Sequence, residues 1–228
     1  MGPGGGGAPA RGGARGAGLA AVALVPGNGG GGDIRGSNFY GWAEADLVRR
    51  GFDVRLPEGG MPDPYEAQEA VWVPFIRKRL LPAGGVPAIL IGHSSGAAAA
   101  LRVAEAQKLA GLVLVAAYDD DLGDALEAAS GYFSRPWDWA RIRQNCGFIA
   151  QFSGRRDSLV PVSVQRRVAS SLCLEPADWN AAATDGTPLP RFAYFEDAEG
   201  DHFFEPPFPQ LSVVIEQGLS SASGAEET

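Results

Sequence analysis

Apolar runs of five to seven residues recur along the chain, separated by longer segments of helix-favouring composition. Such runs, without the polar alternation of half-exposed strands, are typical of parallel strands that are covered on both faces. They predict an α/β protein with a doubly wound, mainly parallel sheet of about six strands and a functional site at the carboxyl ends of the strands. The predicted strands span residues 19–25, 52–56, 86–91, 112–117, 148–152 and 191–195. The clearest helical segments span residues 38–50, 65–81, 97–108, 161–172 and 210–219.

The two ends of the chain differ in composition from the rest. Residues 1–18 consist almost entirely of Gly, Ala, Pro and Arg. Such a segment cannot bury enough apolar surface to offset the entropy lost on ordering, so we expect a disordered tail. We expect the same of residues 220–228. Between them, residues 19–219 are long enough to form one domain with a sizeable core.

Two segments interrupt the alternation of strands and helices. Residues 122–146 are rich in aromatic side chains and follow the carboxyl end of a predicted strand, so they predict a small helical cap over the site. Within this cap, Trp137 and Trp139 are either substrate-binding walls or packing anchors, and aromatic side chains serve both purposes. The composition of residues 175–190 favours a surface insertion.

The overall charge and the cysteine content restrict the possible partners. A formal charge of −8 argues against nucleic acid or an anionic membrane as the main partner. No apolar run approaches the roughly 20 residues of a membrane span. The two cysteines, Cys146 and Cys173, form neither a disulfide framework nor a metal-site spacing. We therefore expect a cytoplasmic protein without metal or cofactor; targeting of the N-terminal tail to an organelle is the alternative.

The strongest candidate for chemistry is Gly92-His-Ser-Ser-Gly96, which lies between a buried strand and an Ala-rich helix. In a nucleophile elbow with the pattern G-x-S-x-G, the turn is so sharp that the central serine is strained and exposed at the end of the sheet. Glycines are needed on both sides because side chains there would collide with the neighbouring strand and helix. The following helix N-terminus offers N–H groups and partial positive charge to an oxyanion. The motif therefore predicts Ser94 as a nucleophile.

A serine hydroxyl needs a base that removes its proton, and the chain contains two histidines. His93 is the direct neighbour of Ser94 in the elbow, so its ring points away from the hydroxyl. The remaining candidate is His202, in the loop after the last predicted strand. The order of serine, acid and histidine along the chain is typical of this kind of site.

The acid that orients the base should lie on a loop after a strand between the serine and the histidine. Asp157, just beyond the strand at residues 148–152, satisfies this condition. Asp197 and Asp201 are too close to the histidine in sequence to lie behind its ring easily. Residues 119–121 end the strand directly after the elbow. We therefore predict Asp157 as the acid.

The glycine-rich loop after the first strand allows two interpretations. Gly27, Gly29 and Gly32 match a dinucleotide-binding fingerprint, with Asp53 at about the right distance downstream. Such a fingerprint should open a helix at once, whereas residues 33–38 intervene here, and Asp53 opens the next strand where the ribose-binding acid should end it.

The same loop equally suits an oxyanion hole, in which backbone N–H groups must approach the substrate closely. We favour this interpretation because the chain also contains a nucleophile elbow, at residues 92–96, and such a serine requires an oxyanion hole. The hole would consist of the backbone N–H groups of Asn28, or a neighbour, and Ser95.

Many ordered motifs in this chain resemble the retinoblastoma-binding protein 9 family of small serine hydrolases. They span about residues 19–218 and include Val25-Pro-Gly-Asn-Gly-Gly, Tyr40-Gly-Trp42, Met61-Pro-Asp-Pro64, Trp72-x-Pro74-Phe75, Ile91-Gly-His-Ser-Ser-Gly96, Asp121-Leu-Gly-Asp124, Ser130-Gly-Tyr-Phe133, Arg135-Pro-Trp-x-Trp139, Asn145-Cys146 and Gln151-Phe152. The resemblance implies a three-layer α/β-hydrolase fold and carries the family's catalytic triad onto Ser94, Asp157 and His202.

This chain departs from the family in one motif and in the length of one segment. The Leu-x-Cys-x-Glu motif associated with retinoblastoma binding is absent, because Ser171 stands where Leu is required before Cys173 and Glu175. Retinoblastoma binding is therefore not expected. The insertion at residues 175–190 is also longer than the family pattern implies.

Together these arguments predict a serine hydrolase that cleaves small ester or amide substrates through an acyl-enzyme intermediate. Two alternatives come from other classes of protein. One is a non-catalytic protein-binding module on a hydrolase scaffold, against which a complete triad argues. The other is a nucleotide-binding oxidoreductase that uses the glycine-rich loop.

Overall fold

A parallel sheet forms the centre of the protein. The computed structural model describes residues 20–29, 32–183 and 188–224. Across the sheet the strands follow the order β2-β1-β3-β4-β5-β7-β6, and every neighbouring pair is parallel. This order places β3, the strand before the elbow, beside β1 and β4. In chain order, β1 to β7 are Ala21–Val25, Asp53–Arg55, Ile89–His93, Gly111–Val115, Ile149–Gly154, Glu175–Ala177 and Phe192–Asp197.

Helices cover both faces of the sheet, as the doubly wound pattern predicts. In the described residues, α1 to α7 are Tyr40–Arg49, Glu69–Phe75, Ser95–Ala106, Ala125–Ala129, Trp139–Asn145, Val162–Ser171 and Pro209–Gly224. Helices α1 and α7 pack on one face, and α2, α3, α5 and α6 pack on the other. Of the helices that the structure describes, none combines the length and the apolar character that a membrane span requires.

Successive residues of the central strands face opposite layers, because side chains alternate across a strand. In β1, Ala23 and Val25 join the core beneath α3, whereas Val22 and Leu24 join the core beneath α1 and α7. Both sets are buried, which is why the strands lack polar alternation. Helix α3 packs through four fully buried alanines at residues 97–100, whose small side chains allow the helix to lie close to the sheet.

The sheet has one strand more than the sequence predicts. Strand β6 lies within residues 175–190 and pairs with β7 at the edge of the sheet. A three-residue strand carries no apolar pattern, and Pro176, which cannot donate a ladder hydrogen bond, is tolerated on an edge. Nearby, Trp179 stacks on Phe208 with ring centres 6.0 Å apart, and Ala182 is buried. The segment predicted as a surface insertion thus contains an edge strand that is largely exposed.

The first helix begins later than the sequence suggests. Ser37 and Asn38 are favourable capping residues, yet the N-cap is Phe39 and no side chain caps the helix. Asn38 instead adopts a positive φ of 47° and donates its amide to the hydroxyl of Tyr40 at 3.0 Å. Asn38 thus forms a hydrogen bond with the side chain of Tyr40 and does not cap the helix.

The predicted tails lie largely outside the described residues. This applies to residues 1–18 and to residues 225–228. Helix α7 continues to Gly224, so residues 220–224, which the sequence assigns to a disordered tail, extend the last helix.

The predicted cap at residues 122–146 consists of α4 and α5 with an aromatic loop between them. The buried Arg102 of α3 holds this loop in place. Its guanidinium donates to the backbone carbonyls of Tyr132 at 3.1 Å, Arg135 at 2.8 Å and Pro136 at 3.2 Å. It also lies 3.7 Å from the ring centre of Trp137, a cation–π contact. The cap is thus anchored to the helix that begins at the elbow.

Candidate active site

Ser94 occupies a sharp turn between β3 and α3. Its backbone has φ 56° and ψ −123°, a conformation that costs energy in a residue with a side chain and occurs mainly at functional sites. A Cβ atom on Gly92 would lie 2.8 Å from Ala97 Cα, and one on Gly96 would lie 2.9 Å from the carbonyl carbon of Val25. Only glycine fits at these two positions, so the geometry is that of a nucleophile elbow.

Asp157 and His202 form a buried hydrogen-bonded pair. The Nδ1 atom of His202 lies 3.0 Å from both carboxylate oxygens, and the side chains of His202 and Asp157 are 3% and 0% exposed. Because a carboxylate only accepts, Nδ1 carries the proton and Nε2 is left to accept one. Among the described residues no hydrogen bond joins Ser94 Oγ to His202, and such bonds often tighten only when substrate is present.

The pairing of β5 with β7 brings Asp157 and His202 together. Asp157 follows β5 and His202 follows β7, and the two strands are direct neighbours. Their loops are also joined through backbone hydrogen bonds, from the N–H of Arg155 to the carbonyl of Asp197 and from the N–H of Arg156 to the carbonyl of Gly200, both at 2.9 Å. The carboxyl ends of neighbouring parallel strands thus supply both residues.

The other acids that sequence reasoning set aside have different partners. The carboxylate of Asp201 accepts from the backbone N–H of Ser158 at 2.7 Å and from its hydroxyl at 2.8 Å. Asp197 accepts from a backbone N–H two residues further on. Asp119 forms an ion pair with Arg167. None of these three carboxylates is hydrogen-bonded to the imidazole of His202 in the part of the chain that the structure describes.

Sequence reasoning missed the residues that hold Asp157 in place. Asp157 accepts from the backbone N–H groups of Leu159 and Val160 at 2.9 and 2.8 Å, and from Gln165 Nε2 at 3.0 Å. Gln165 is fully buried, and the amide of the equally buried Gln151 donates to its backbone carbonyl at 2.7 Å. Two glutamines on separate elements give no sequence signal, because only the packing of α6 against β5 brings them together.

A second hydrogen-bond chain involves His93, whose ring points away from Ser94 as predicted. Its Nε2 lies 2.9 Å from the backbone carbonyl of His202, and its Nδ1 lies 2.6 Å from the hydroxyl of Tyr40. A carbonyl only accepts, so Nε2 carries the proton and the tyrosine donates to Nδ1. The tyrosine oxygen in turn accepts from the backbone N–H of Gly27 at 2.9 Å and from Asn38. This series of hydrogen bonds joins the glycine-rich loop, the elbow and the loop that carries His202.

The burial of His93 predicts that the free energy of unfolding depends on pH. Burial lowers the pKa of His93 to about 3, whereas the unfolded chain binds this proton near pH 6.5. The contribution of neutral His93 to the free energy of unfolding is therefore fully present above about pH 6.5. It is lost progressively as the pH falls toward 3, at up to about 1.4 kcal/mol per pH unit. We expect the difference in free energy of unfolding between wild type and His93→Gln to shrink by roughly 2 kcal/mol between pH 7 and pH 4.5, as measured by urea unfolding. Parallel losses in both proteins would contradict this assignment.

The glycine-rich loop after β1 approaches Ser94 closely. A Cβ atom on Gly27 would lie 3.2 Å from Ser94 Cβ. The backbone N–H groups of Asn28 and Ser95, the predicted oxyanion donors, have no hydrogen-bond acceptor among the described residues. Asp53 stands at the start of β2, away from the carboxyl end where a dinucleotide ribose would bind, which argues against the dinucleotide interpretation.

Comparison with solved structures identifies the fold. The ydeN gene product of B. subtilis superposes with a TM-score of 0.70 at 19% identity, over 89% of this chain and 100% of that one. The structure reported in a study of carboxylesterases from the thaumarchaeon Nitrososphaera gargenis superposes with a TM-score of 0.62 at 13% identity, over 91% of this chain and 92% of that one. The fold is that of the α/β hydrolases, as predicted.

Comparison of sequences identifies the family. No protein-family model matches the chain. Serine hydrolase RBBP9 of Rattus norvegicus, however, is 46% identical over 150 residues, which are 65% of this chain and 78% of the rat protein. The chain belongs to the RBBP9 family of serine hydrolases. Membership in this family confirms the predicted resemblance and the predicted enzyme class, and it disfavours both the oxidoreductase and the non-catalytic alternative.

Within this RBBP9-family fold, the two tryptophans predicted to bind substrate have packing partners. Trp137 stacks on Trp139 with ring centres 5.6 Å apart, and its indole N–H donates to the backbone carbonyl of residue 119 at 2.9 Å. Through Phe133, 6.2 Å away, the aromatic series continues to Tyr118, whose hydroxyl donates to Ser95 Oγ. Tyr118 is therefore the aromatic residue of this series that reaches the elbow, and a substrate contact of the tryptophans stays a prediction.

Proposed function

We propose that Ser94, His202 and Asp157 form a catalytic triad that hydrolyses small ester or amide substrates through an acyl-enzyme intermediate. The observation that carries the proposal is the buried Asp157–His202 pair at the ends of β5 and β7, combined with the strained serine at the elbow. Such an arrangement suits acyl transfer, because the imidazole is held in one tautomer with Nε2 available as a base.

In this mechanism Ser94 Oγ attacks the carbonyl carbon while its proton passes to Nε2 of His202. Asp157 stabilises the imidazolium through the hydrogen bonds at Nδ1. Collapse of the tetrahedral intermediate breaks the ester or amide bond, and the imidazolium gives its proton to the leaving alcohol or amine. Water then attacks the acyl-enzyme with the histidine again as base, and this step releases the acid and regenerates the serine.

The negative charge of the tetrahedral intermediate requires preorganised donors. We assign this role to the backbone N–H groups of Asn28 and Ser95, which have no other acceptor among the described residues. The N–H of Gly27 is excluded, since it donates to Tyr40. Ser95 lies at the first position of α3, where the helix dipole adds partial positive charge.

The direct test is covalent labelling with a fluorophosphonate, which reacts with an activated serine. Mass spectrometry of the labelled protein should find the adduct on Ser94. A panel of p-nitrophenyl esters and aminoacyl amides would then establish the preferred bond. A label on any other serine would contradict the assignment of the nucleophile.

We further propose that the substrates are compact and apolar or aromatic. The cap is short and its loop is tied to Arg102, so it offers no long apolar channel for a fatty-acyl chain. Phe204, 39% exposed, lies against the imidazole of His202 with ring centres 5.2 Å apart. An exposed aromatic ring beside the base favours apolar groups at the mouth of the site.

This proposal predicts the dependence on acyl length. We expect kcat/KM to be highest for short acyl or bulky aromatic substrates and to fall beyond about eight carbons, because each further methylene, worth about 0.8 kcal/mol when buried, would stay in water. Trp137→Ala and Trp139→Ala should raise KM for aromatic esters more than for acetyl esters. Measurement of kcat/KM for acyl chains of about two to sixteen carbons checks the first expectation. A steady rise through the long chains would indicate a lipase-like enzyme instead.

The cytoplasmic location stays a proposal. It is supported by the cysteines, both of which are free, with Cys146 buried and Cys173 exposed, since an oxidising compartment favours disulfides.

A further inference from the structure

A carboxylate from the cap lies beside the elbow and has no part in the reaction described above. Glu127 belongs to α4, and its Oε1 accepts hydrogen bonds from Ser95 Oγ at 3.1 Å and from Asn28 Nδ2 at 3.3 Å. Its Oε2 is buried, and the carboxylate also interacts with the hydroxyl of Tyr118. Burial raises the pKa of Glu127, since a carboxylate loses hydration in such a place. Burying a carboxylate costs free energy unless hydrogen bonds compensate for the lost hydration.

Two partners of the Glu127 carboxylate, Ser95 and Asn28, are the residues whose backbone N–H groups form the proposed oxyanion hole. Ser95 starts α3, whereas Asn28 lies on the loop after β1, so local chain geometry does not set the distance between them. Asn28 is exposed. A single oxygen of Glu127 therefore connects the two halves of the hole.

The donor and the acceptor of each hydrogen bond in this network follow from the chemistry of the groups. A carboxylate oxygen accepts, so the hydroxyl of Ser95 donates to Glu127, and its own oxygen accepts from the buried Tyr118 at 3.0 Å. The side chain of Ser95 is thus held from both sides. Asp124, the N-cap of α4, accepts from the backbone N–H of Glu127 at 3.0 Å and so holds the first turn of the helix that carries the carboxylate.

We propose that Glu127 is a positioning residue of the oxyanion hole, which holds Asn28 and Ser95 at the separation at which their N–H groups converge on the oxyanion. This inference rests on the proposed function. A displacement of about 1 Å in an active site can cost on the order of 100-fold in rate. The carbonyl oxygen of the bound substrate carries less charge than the oxyanion, so the loss should fall on kcat rather than on KM.

The experiment measures kcat and KM for the neutral substrate p-nitrophenyl acetate with three variants. Glu127→Ala should lower kcat about 30-fold and leave KM within about twofold. Glu127→Gln keeps an accepting oxygen and should stay within about threefold of wild type. The matched control is Leu126→Ala on the same helix, since Leu126 is 54% exposed, and its kcat should be that of wild type.

A fourth variant, Asn28→Ala, tests the link between Glu127 and Asn28 from the side of Asn28. Asn28→Ala removes the amide side chain from an exposed residue but keeps the backbone N–H, so it tests the proposal even where Glu127→Ala does not fold. We expect a similar loss in kcat. The double variant should lose no more than the larger single loss, because both changes break one connection. Inhibition by a trifluoromethyl ketone, which forms an oxyanion on the serine, should weaken in parallel with kcat.

Three outcomes would overturn the inference. If Glu127→Ala and Asn28→Ala keep wild-type kcat, the network is not needed for catalysis. The proposed function is tested separately, by the turnover of the wild type and the loss of that turnover in Ser94→Ala. If Glu127→Gln is as impaired as Glu127→Ala, the charge of the carboxylate matters and not its accepting oxygen. If the loss is confined to KM for a cationic aminoacyl ester, Glu127 binds the substrate's ammonium group instead.

Discussion

Replacing Ser94 with alanine should abolish labelling by a fluorophosphonate and lower kcat for ester hydrolysis by about 10⁴-fold or more. The reason is that the covalent path is lost, and only the oxyanion donors and substrate binding still favour the reaction. The fold should be kept, because the hydroxyl of Ser94 forms no hydrogen bond among the described residues and the side chain is half-buried. Alanine also tolerates the positive φ no worse than serine does.

The measurement combines gel-based labelling, initial rates with p-nitrophenyl acetate and thermal unfolding by circular dichroism. Ser163→Ala, an exposed serine on α6, is the matched control and should behave as wild type. Labelling that persists in Ser94→Ala, or that moves to Ser95, would refute Ser94 as the nucleophile.

Asp157→Asn should lower kcat by about 10⁴-fold. An asparagine amide placed against Nδ1 of His202 would donate to it, so the proton of the imidazole would move to Nε2. Nε2 could then no longer accept the proton of Ser94. The free energy of unfolding should fall by only about 1–3 kcal/mol, since the asparagine oxygen still accepts from the backbone but the amide of Gln165 loses its charged acceptor.

Steady-state kinetics from pH 5 to 9 and urea unfolding check this expectation. Asp201→Asn is the informative comparison, because Asp201 is adjacent to His202 in sequence but, among the described residues, accepts from Ser158 and from the backbone of His202 and not from its imidazole. Its kcat should stay within about threefold of wild type. A large loss in Asp201→Asn with an active Asp157→Asn would reverse the assignment of the acid.

The elements that sequence reasoning predicted correctly are those whose signal lies within a few neighbouring residues. The runs that became β1, β3, β4 and β5 are buried on both faces, and burial on both faces is what removes polar alternation. The turn at residues 92–96 needs glycine at its two ends for steric reasons that are local to the turn. Strand β6 was missed, because three residues with a proline carry no such signal and its pairing with β7 alone makes it a strand.

The chain order of serine, acid and histidine was also visible in the sequence, and it led to Asp157 and His202 by elimination. The hydrogen bond between Asp157 and His202 was not visible in the sequence, because it depends on β5 and β7 being neighbours. Apolar runs of similar composition do not encode which strand lies beside which.

The positioning residues around the site depend even more on tertiary structure. Gln165 behind the acid, Tyr40 beside His93 and Glu127 between the oxyanion donors are polar residues on helices, where a sequence gives no reason to separate them from solvent-facing ones. Each acquires its role from a partner 8 to 99 residues away in the chain. The sequence by itself thus determined the fold class and the elbow, since these follow from burial and local sterics, and its chain order pointed to the proposed reacting groups. Only the packing of helices against the sheet decided what holds those groups in place, because a hydrogen bond between distant residues exists only once the chain has folded.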